Sequence, residues 1–184
     1  MTQLEQLQKE LEVGRNEIKT DSYHMSIGEL VNMFKEGDLQ LDPAFQRLFR
    51  WDDFQKTRFI ESILLGIPIP PIFVAQKEDG KWVVVDGVQR LSTVLQFTNN
   101  LSNKDKLVLT EASKLPSLNN LNWETISPDI QRYFKRAKFG VNIILTENSI
   151  EAQYELFQRL NTGGSHLEPQ EIRNCLIIML SSDF

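Results

Sequence analysis

Sulfur and imidazole ligands are scarce in this chain of 184 residues, which holds one cysteine and two histidines. The single cysteine, Cys175, excludes an internal disulfide framework and a multi-cysteine zinc site, and it suits a reducing compartment. With only His24 and His166 available, a metal site would have to rest largely on carboxylates. Excess positive charge is also lacking, because the formal net charge is -5 and the isoelectric point about 5.1. Bulk electrostatic binding of nucleic acid is therefore not expected, although a local basic face is compatible with the composition.

Long hydrophobic runs are missing as well. The first 20 residues contain several acids and no secretory signal, and the apolar stretch Leu64–Ala75 is interrupted by three prolines and too short to cross a bilayer. We expect a soluble, cytoplasmic protein without a membrane partner. Its length fits one domain, expected at 21–184 after an N-terminal helical arm at 1–20. Because the apolar helical pattern Ile172–Leu180 ends almost where the chain does, we expect the N-terminal piece of a longer polypeptide.

Helical and strand patterns mix along the chain and predict an α+β fold with a small sheet and several helices. Helices are expected over 3–18, 27–36, from Asp52 to Gly66, and over 89–97, 126–137, 150–160 and from Pro169 onward. Strands are expected over 72–75, 81–85 and 139–145, with a hairpin turn at Asp79-Gly80. The polar stretch 99–122, with scattered leucines, is expected to be a variable excursion.

The junction Asp86-Gly87-Val88-Gln89-Arg90 is the first candidate site. A short apolar run ends at Asp86, and a helix follows at once. The first N–H groups of a helix lack internal partners and lie at the positive end of its dipole, so such a junction attracts anions. Gly87 permits a tight turn and close approach of a ligand. Arg90 opposes the helix dipole unless an anion lies between it and the amides.

A purely structural interpretation of this junction stays open. Asp86 could cap the helix, and Arg90 could pair with Asp86 or with a surface acid. Under the functional interpretation, the junction binds a phosphate, and Ser92 and Thr93 add hydroxyl donors.

Three sequence blocks give this junction a context. They are Pro43-Ala44-Phe45-Gln46-Arg47 with Trp51-Asp52 and Ile63–Phe73, then Val85–Thr93, then Phe157–Gly164 with Gln170–Asn174. In content and order they resemble the N-terminal domain of GmrSD-type restriction endonucleases, the modification-dependent (type IV) enzymes. The resemblance covers about residues 20–180 and implies a ParB/sulfiredoxin-like fold, in which a small mixed sheet is surrounded by helices.

The resemblance implies a domain that binds, and in some members hydrolyses, a nucleoside triphosphate with a divalent metal such as Mg²⁺. It implies a place in phage defence, with modified phage DNA as the partner of the full-length protein and nuclease chemistry, of HNH type for example, in a separate C-terminal domain. Homo-oligomerisation is compatible with it. The catalytic candidates are Asp86, Gln89 and Arg90, and Asp86 is also the candidate metal ligand. The candidate phosphate-binding residues are Gln46, Arg47, Gly87, Ser92, Thr93, Arg159, Asn161 and Thr162.

Alternatives remain for the flanking residues of this set. Gln46 and Arg47 could be solvated side chains on a loop, and Asn161 and Thr162 could belong to a structural loop, since Gly163 and Gly164 follow them. Arg159 is either an anion ligand or an ion-pair partner of Glu155.

Val88 departs from the family pattern, in which this position is usually glutamine. The loss of one amide removes a contact to phosphate or water, so phosphate binding is expected more firmly than turnover. Two rivals therefore stay open: a ParB-like switch or DNA-sensing domain that binds nucleotide without hydrolysis, and a DNA nickase.

Four cations are close together in the sequence, at Arg132, Lys135, Arg136 and Lys138. One interpretation is a solvated helix face. The other is contact with nucleic acid phosphates, for which they are the candidate residues.

Overall fold

A computed structural model of the chain describes residues 2–17, 19–41, 51–102 and 104–145. Five α-helices lie in these ranges: α1 (Gln3–Glu17), α2 (Ile27–Glu36), α3 (Asp53–Leu64), α4 (Val88–Phe97) and α5 (Pro128–Arg136). The same ranges contain five strands: β1 (Thr20–Ser26), β2 (Leu39–Gln40), β3 (Ile72–Gln76), β4 (Trp82–Asp86) and β5 (Lys138–Ile144). A short 3₁₀ turn covers Pro116–Leu118. The predicted α+β class is confirmed.

The five strands form one mixed sheet in the order β1-β5-β3-β4-β2. The β1–β5 and β3–β4 pairs are antiparallel, whereas β3–β5 and β2–β4 are parallel. The inner strand β4 buries Val83, Val84 and Val85 in succession, which is typical of a strand covered on both faces. Its carboxyl end, at Asp86, lies beside the amino end of β3 because Phe73 pairs with Asp86.

Helix caps predicted from the sequence are present. The Ser26 side chain accepts from the Glu29 N–H at the start of α2, and Gly37 ends that helix with φ of 83°. Asp52 and Gln55 form a reciprocal capping box at the start of α3. Because these caps are made by neighbours in the chain, local sequence was enough to predict both helices.

The hairpin between β3 and β4 also follows its prediction. Gly80 has φ of 84°, and the Lys77 N–H donates to the Lys81 carbonyl at 2.8 Å. The predicted strands at 72–75 and 81–85, and the later one at 139–145, match β3, β4 and β5 to within one residue.

The segment 99–122 differs from its prediction as a polar excursion. Leu107, Leu109 and Leu118 are buried in the core, although the described residues of the segment form no helix or strand apart from one 3₁₀ turn. Two polar side chains of α3 hold it: Thr57 Oγ1 accepts from the Thr110 N–H at 3.0 Å, and Glu61 Oε1 accepts from the amides of 114 and 115. The segment is therefore part of the packed domain.

Strands β1 and β2 were not predicted. Most side chains of β1 are exposed, so the strand lacks the alternation of apolar and polar residues by which an edge strand is recognised. The helix predicted at 3–18 is present as α1, whose Leu4, Leu7 and Leu11 are exposed, and its role as an arm stays a prediction. Helices predicted at 150–160 and from Pro169 lie outside the described residues, and the division at residue 20 stays a prediction. No helix in the described part of the chain is long and apolar enough to cross a membrane.

Candidate phosphate-binding turn and basic surface

The junction of β4 and α4 is a tight turn with an uncapped helix start. Asp86 is the last residue of β4, and Gly87 is the N-cap residue of α4, in the left-handed region with φ of 86° and ψ of 16°. Among the described residues no side chain accepts from the first amides of this helix, so Asp86 is not the cap that one interpretation of the sequence expected. The Leu91 N–H makes the first bond of the helix, to the Gly87 carbonyl at 3.0 Å. The amides that precede it point out of the helix end, which suits an anion.

Gly87 is required for a second reason. A Cβ at this position would lie 2.5 Å from Ile72 Cγ2 and 2.9 Å from Arg90 Nη2. Any larger residue would therefore push apart the start of β3 and the arginine. Gly87 permits both the positive φ and the close packing of the turn.

Arg90 is fixed at the turn by two acceptors. Its Nη2 donates to Asp86 Oδ2 at 2.8 Å, and its Nη1 donates to the Pro70 carbonyl at 3.3 Å. The side chains of Arg90 and Asp86 are 15% and 33% exposed, so the ion pair is largely sheltered but open on one side. This pairing is the one that the structural interpretation of the sequence allowed. It also keeps a guanidinium, which carries five N–H donors, beside the uncapped helix start.

Gln89 connects the turn to the start of α3. Its Oε1 accepts from the Trp51 N–H at 3.1 Å, and the Trp51 ring meets Phe59 edge-on at a centroid distance of 5.3 Å. Nothing in the sequence connected Trp51 to Gln89. The Pro70 carbonyl was missed as well, because backbone groups carry no residue-type signal.

Ser92 and Thr93 lie one turn further along α4 and are buried. The Thr93 hydroxyl donates to the Gln89 carbonyl at 2.7 Å, inside the helix. In this conformation that hydroxyl hydrogen is used internally, and both side chains belong to the packing behind the turn. Their predicted contact with phosphate stays a prediction.

The other predicted phosphate-binding residues lie outside the described residues. They are Gln46, Arg47, Arg159, Asn161 and Thr162. Their place relative to Asp86–Arg90 stays a prediction. No group of three or more histidine, cysteine, aspartate or glutamate side chains within the described ranges could hold a metal ion, so the predicted metal role of Asp86 would need phosphate oxygens or water as further ligands.

The basic residues around α5 are all exposed. Arg132 pairs with Asp129 one helical turn earlier, and the Lys135 ammonium lies 5.6 Å from the centre of the Trp123 ring. Among the described residues, Arg136 and Lys138 form no ion pair. Two of the four residues predicted to contact nucleic acid therefore carry a positive charge that no acid in this part of the chain neutralises.

The sheet places these cations at the same end as the phosphate-binding turn. Parallel pairing sets Ile72 opposite Val141, so the start of β5, at Lys138, lies beyond the start of β3. Asp86 pairs with Phe73 on the other side of β3. Asp86 and Lys138 lie two strands apart and are offset by about four residues along the strand direction. Their Cα atoms are therefore about 16 Å apart.

Comparison of the chain with known protein families gives a match. Residues 27–178 match the family described as GmrSD restriction endonuclease, N-terminal domain. The matched range contains every predicted site residue. No curated protein and no solved structure matches the chain.

Proposed function

This chain belongs to the GmrSD restriction endonuclease N-terminal domain family, and we propose that it is the nucleotide-binding module of a restriction protein directed at modified phage DNA. Membership of the family supports a place in a restriction system. The nucleotide is proposed from the turn itself. The observation that carries this proposal is a sheltered guanidinium fixed beside an uncapped helix start, at the end of a buried strand.

Binding would use the backbone first. Amides at the start of α4 donate to phosphate oxygens, and the absence of a side chain at Gly87 leaves the backbone accessible. Arg90 adds charge-assisted hydrogen bonds through donors that Asp86 and Pro70 do not use. Since Arg90 neutralises Asp86, a phosphate can approach this carboxylate without the repulsion that an unpaired one would cause.

Asp86 supports the site chiefly through Arg90. The 2.8 Å bond between Nη2 and Oδ2 holds the guanidinium in one orientation. A Mg²⁺ ion brought in with a nucleoside triphosphate would find a carboxylate oxygen of Asp86 beside the phosphates, and it would supply charge neutralisation for phosphoryl transfer. Gln89 is tied to the Trp51 backbone, so its amide bridges the turn and α3.

A second candidate function is nucleotide binding without turnover, and Val88 favours it. Val88 packs partly buried against the hydrophobic core. An aliphatic group here cannot orient a water or contact a phosphate oxygen, as a glutamine amide can. Under this alternative the domain is a switch whose bound and free states differ around Arg90.

Nucleotide binding and phosphate release by the purified chain separate these functions. We expect a fluorescent nucleoside triphosphate to bind, and Arg90→Ala to weaken binding about 10- to 100-fold, as for a lost charged hydrogen bond. Arg58→Ala, which removes an exposed arginine of α3, is the matched control and should bind like the parent. Urea unfolding of each variant checks that the loss is not a loss of fold.

The outcomes divide as follows. Phosphate release that needs Arg90 supports a hydrolase, and binding without release supports the switch. Release that appears only in Val88→Gln would assign the defect to that position. Equal binding by the parent and Arg90→Ala would refute the phosphate site, and nicking of DNA without nucleotide would support the nickase instead.

A further inference from the structure

One exposed face of α5 carries an aromatic ring between two arginines. Arg136 follows Tyr133 by three residues and Arg132 by four, so it is a neighbour of both on the helix surface. The Tyr133 side chain is 56% exposed, whereas its neighbour Phe134 is fully buried in the core. The helix therefore fixes the backbone of Tyr133 firmly while its ring remains accessible.

A second element extends this face. Gly66 follows α3 with φ of 69°, and a Cβ on it would lie 4.0 Å from the Tyr133 hydroxyl oxygen. The residues on either side, Leu65 and Ile67, are 42% and 50% exposed. We name Tyr133, Leu65 and Ile67 together the Tyr133 platform. Its three side chains are exposed apolar groups, and Arg136 lies one helical turn from Tyr133.

The charge beside the platform is positive in a chain whose net charge is -5. Arg132 is balanced by Asp129, but Arg136 and Lys138 have no ion-pair partner in the described ranges. The partner that fits is therefore an anion with flat apolar groups at short intervals. A nucleic acid strand has this chemistry, because phosphates alternate with bases that stack on aromatic rings.

We infer that the Tyr133 platform binds an unpaired base of DNA, while Arg136 and Lys138 contact the neighbouring phosphates. Phosphates of a closed duplex would satisfy the cations, but its bases present no face to a tyrosine ring. The ligand is thus single-stranded DNA or a base turned out of a duplex. This inference rests on the proposed action of the protein on DNA and not on nucleotide binding at Asp86–Arg90.

Fluorescence anisotropy with labelled oligodeoxythymidine of about 20 nucleotides, and with a duplex of the same length, tests the inference. Tyr133→Ala should weaken binding of the single strand about 5- to 100-fold, the loss expected for one stacked base. Tyr133→Phe should retain most of the affinity for the single strand. In both variants the affinity for the duplex should change less than twofold. Tyr23→Ala, which removes an exposed tyrosine from β1, is the matched control.

The charge of the surface is tested with Arg136→Glu. This variant should weaken both DNA forms and reduce the slope of log affinity against log salt by about one or more. If Tyr133→Ala lowered the affinity for the single strand and for the duplex equally, the stacking role would be overturned. A change in molar mass by light scattering in Tyr133→Ala, with unchanged DNA affinity, would assign the platform to a contact between copies instead.

The two proposals can fail separately. If the parent chain binds single-stranded DNA through Tyr133 but no nucleoside triphosphate, only the phosphate site at Arg90 is refuted. If it binds the nucleotide but Tyr133→Ala leaves the affinity for the single strand unchanged, only the platform is refuted.

Discussion

Replacing Gly87 with alanine perturbs the turn in two ways that can be measured apart. The backbone has φ of 86°, and an L-residue in the left-handed region costs about 1–2 kcal/mol. In addition, the new Cβ would lie 2.5 Å from Ile72 Cγ2, so the start of β3 must shift. Overpacking of this kind costs about 1–3 kcal/mol. Together we expect Gly87→Ala to lower the free energy of unfolding by about 2–5 kcal/mol.

Gly80 provides the matched control. It has nearly the same φ, 84°, but a Cβ there would meet nothing within 4 Å. Gly80→Ala therefore carries the backbone cost alone, about 1–2 kcal/mol. The difference between the two variants, about 1–3 kcal/mol, is the expected cost of the contact with Ile72.

Urea unfolding followed by tryptophan fluorescence measures both variants, because the chain has three tryptophans and two of them flank these elements, Trp51 and Trp82. Equal slopes with urea concentration would show that the unfolded states are comparable. If Gly87→Ala is no less stable than Gly80→Ala, the close packing of the turn against β3 is wrong, and so is its role in placing Arg90.

Two further predictions concern contacts outside the turn. Glu61→Ala removes the buried acceptor of two part-buried amides, so we expect a loss of about 1–3 kcal/mol in the free energy of unfolding and faster hydrogen exchange at 114 and 115. Unchanged exchange there would contradict this. The hydrogen bond from Tyr23 to Asp21 raises the pKa of the Tyr23 phenol and lowers the pKa of the Asp21 carboxyl. The contribution of this hydrogen bond to stability should therefore be present between the two ordinary pKa values, about 4 and 10. It should be lost as pH rises through the raised pKa of Tyr23, and also as pH falls through the lowered pKa of Asp21. Ultraviolet titration should show Tyr23 ionising at lower pH in Asp21→Asn than in the parent, and identical titrations would refute the bond.

The elements that sequence predicted well are those whose ends are determined by neighbouring residues. Ser26 and Gly37 bracket α2, and Asp52 with Gln55 starts α3, so these helices follow from capping chemistry alone. The hairpin at Asp79-Gly80 likewise requires only a residue that tolerates positive φ. Nothing distant has to be known for any of them.

The elements that sequence missed depend on distant partners. Strand β1 is mostly exposed and is defined by its pairing with β5 more than 100 residues later, as in Tyr23 opposite Val141. The segment 99–122 is fixed by Thr57 and Glu61 on α3, whose side chains accept from its backbone amides. A polar side chain that is buried to hold a remote backbone looks, in sequence, like any exposed polar residue.

The candidate site divides in the same way. The uncapped helix start and the Arg90–Asp86 pair lie within five residues, and local physics predicted the first and allowed the second. The Pro70 carbonyl and the Trp51 amide come from other parts of the fold, and no sequence pattern identifies a backbone group as the partner of Arg90 or Gln89. Sequence could thus nominate the turn but not the contacts that hold its side chains.

The segment from Gly66 to Pro71 connects the two proposed binding surfaces. Its Gly66 end lies against Tyr133, the Pro70 carbonyl accepts from Arg90, and Pro71 is in close contact with Gly140 of β5. Prolines fix φ, and the four residue steps from Gly66 to Pro70 span at most about 14 Å, so the segment is a stiff and short spacer between the phosphate-binding turn and the platform. Gly66, whose added Cβ would lie 4.0 Å from the Tyr133 hydroxyl, and Pro70, whose carbonyl accepts from Arg90, are therefore held four residues apart by a segment that its prolines stiffen.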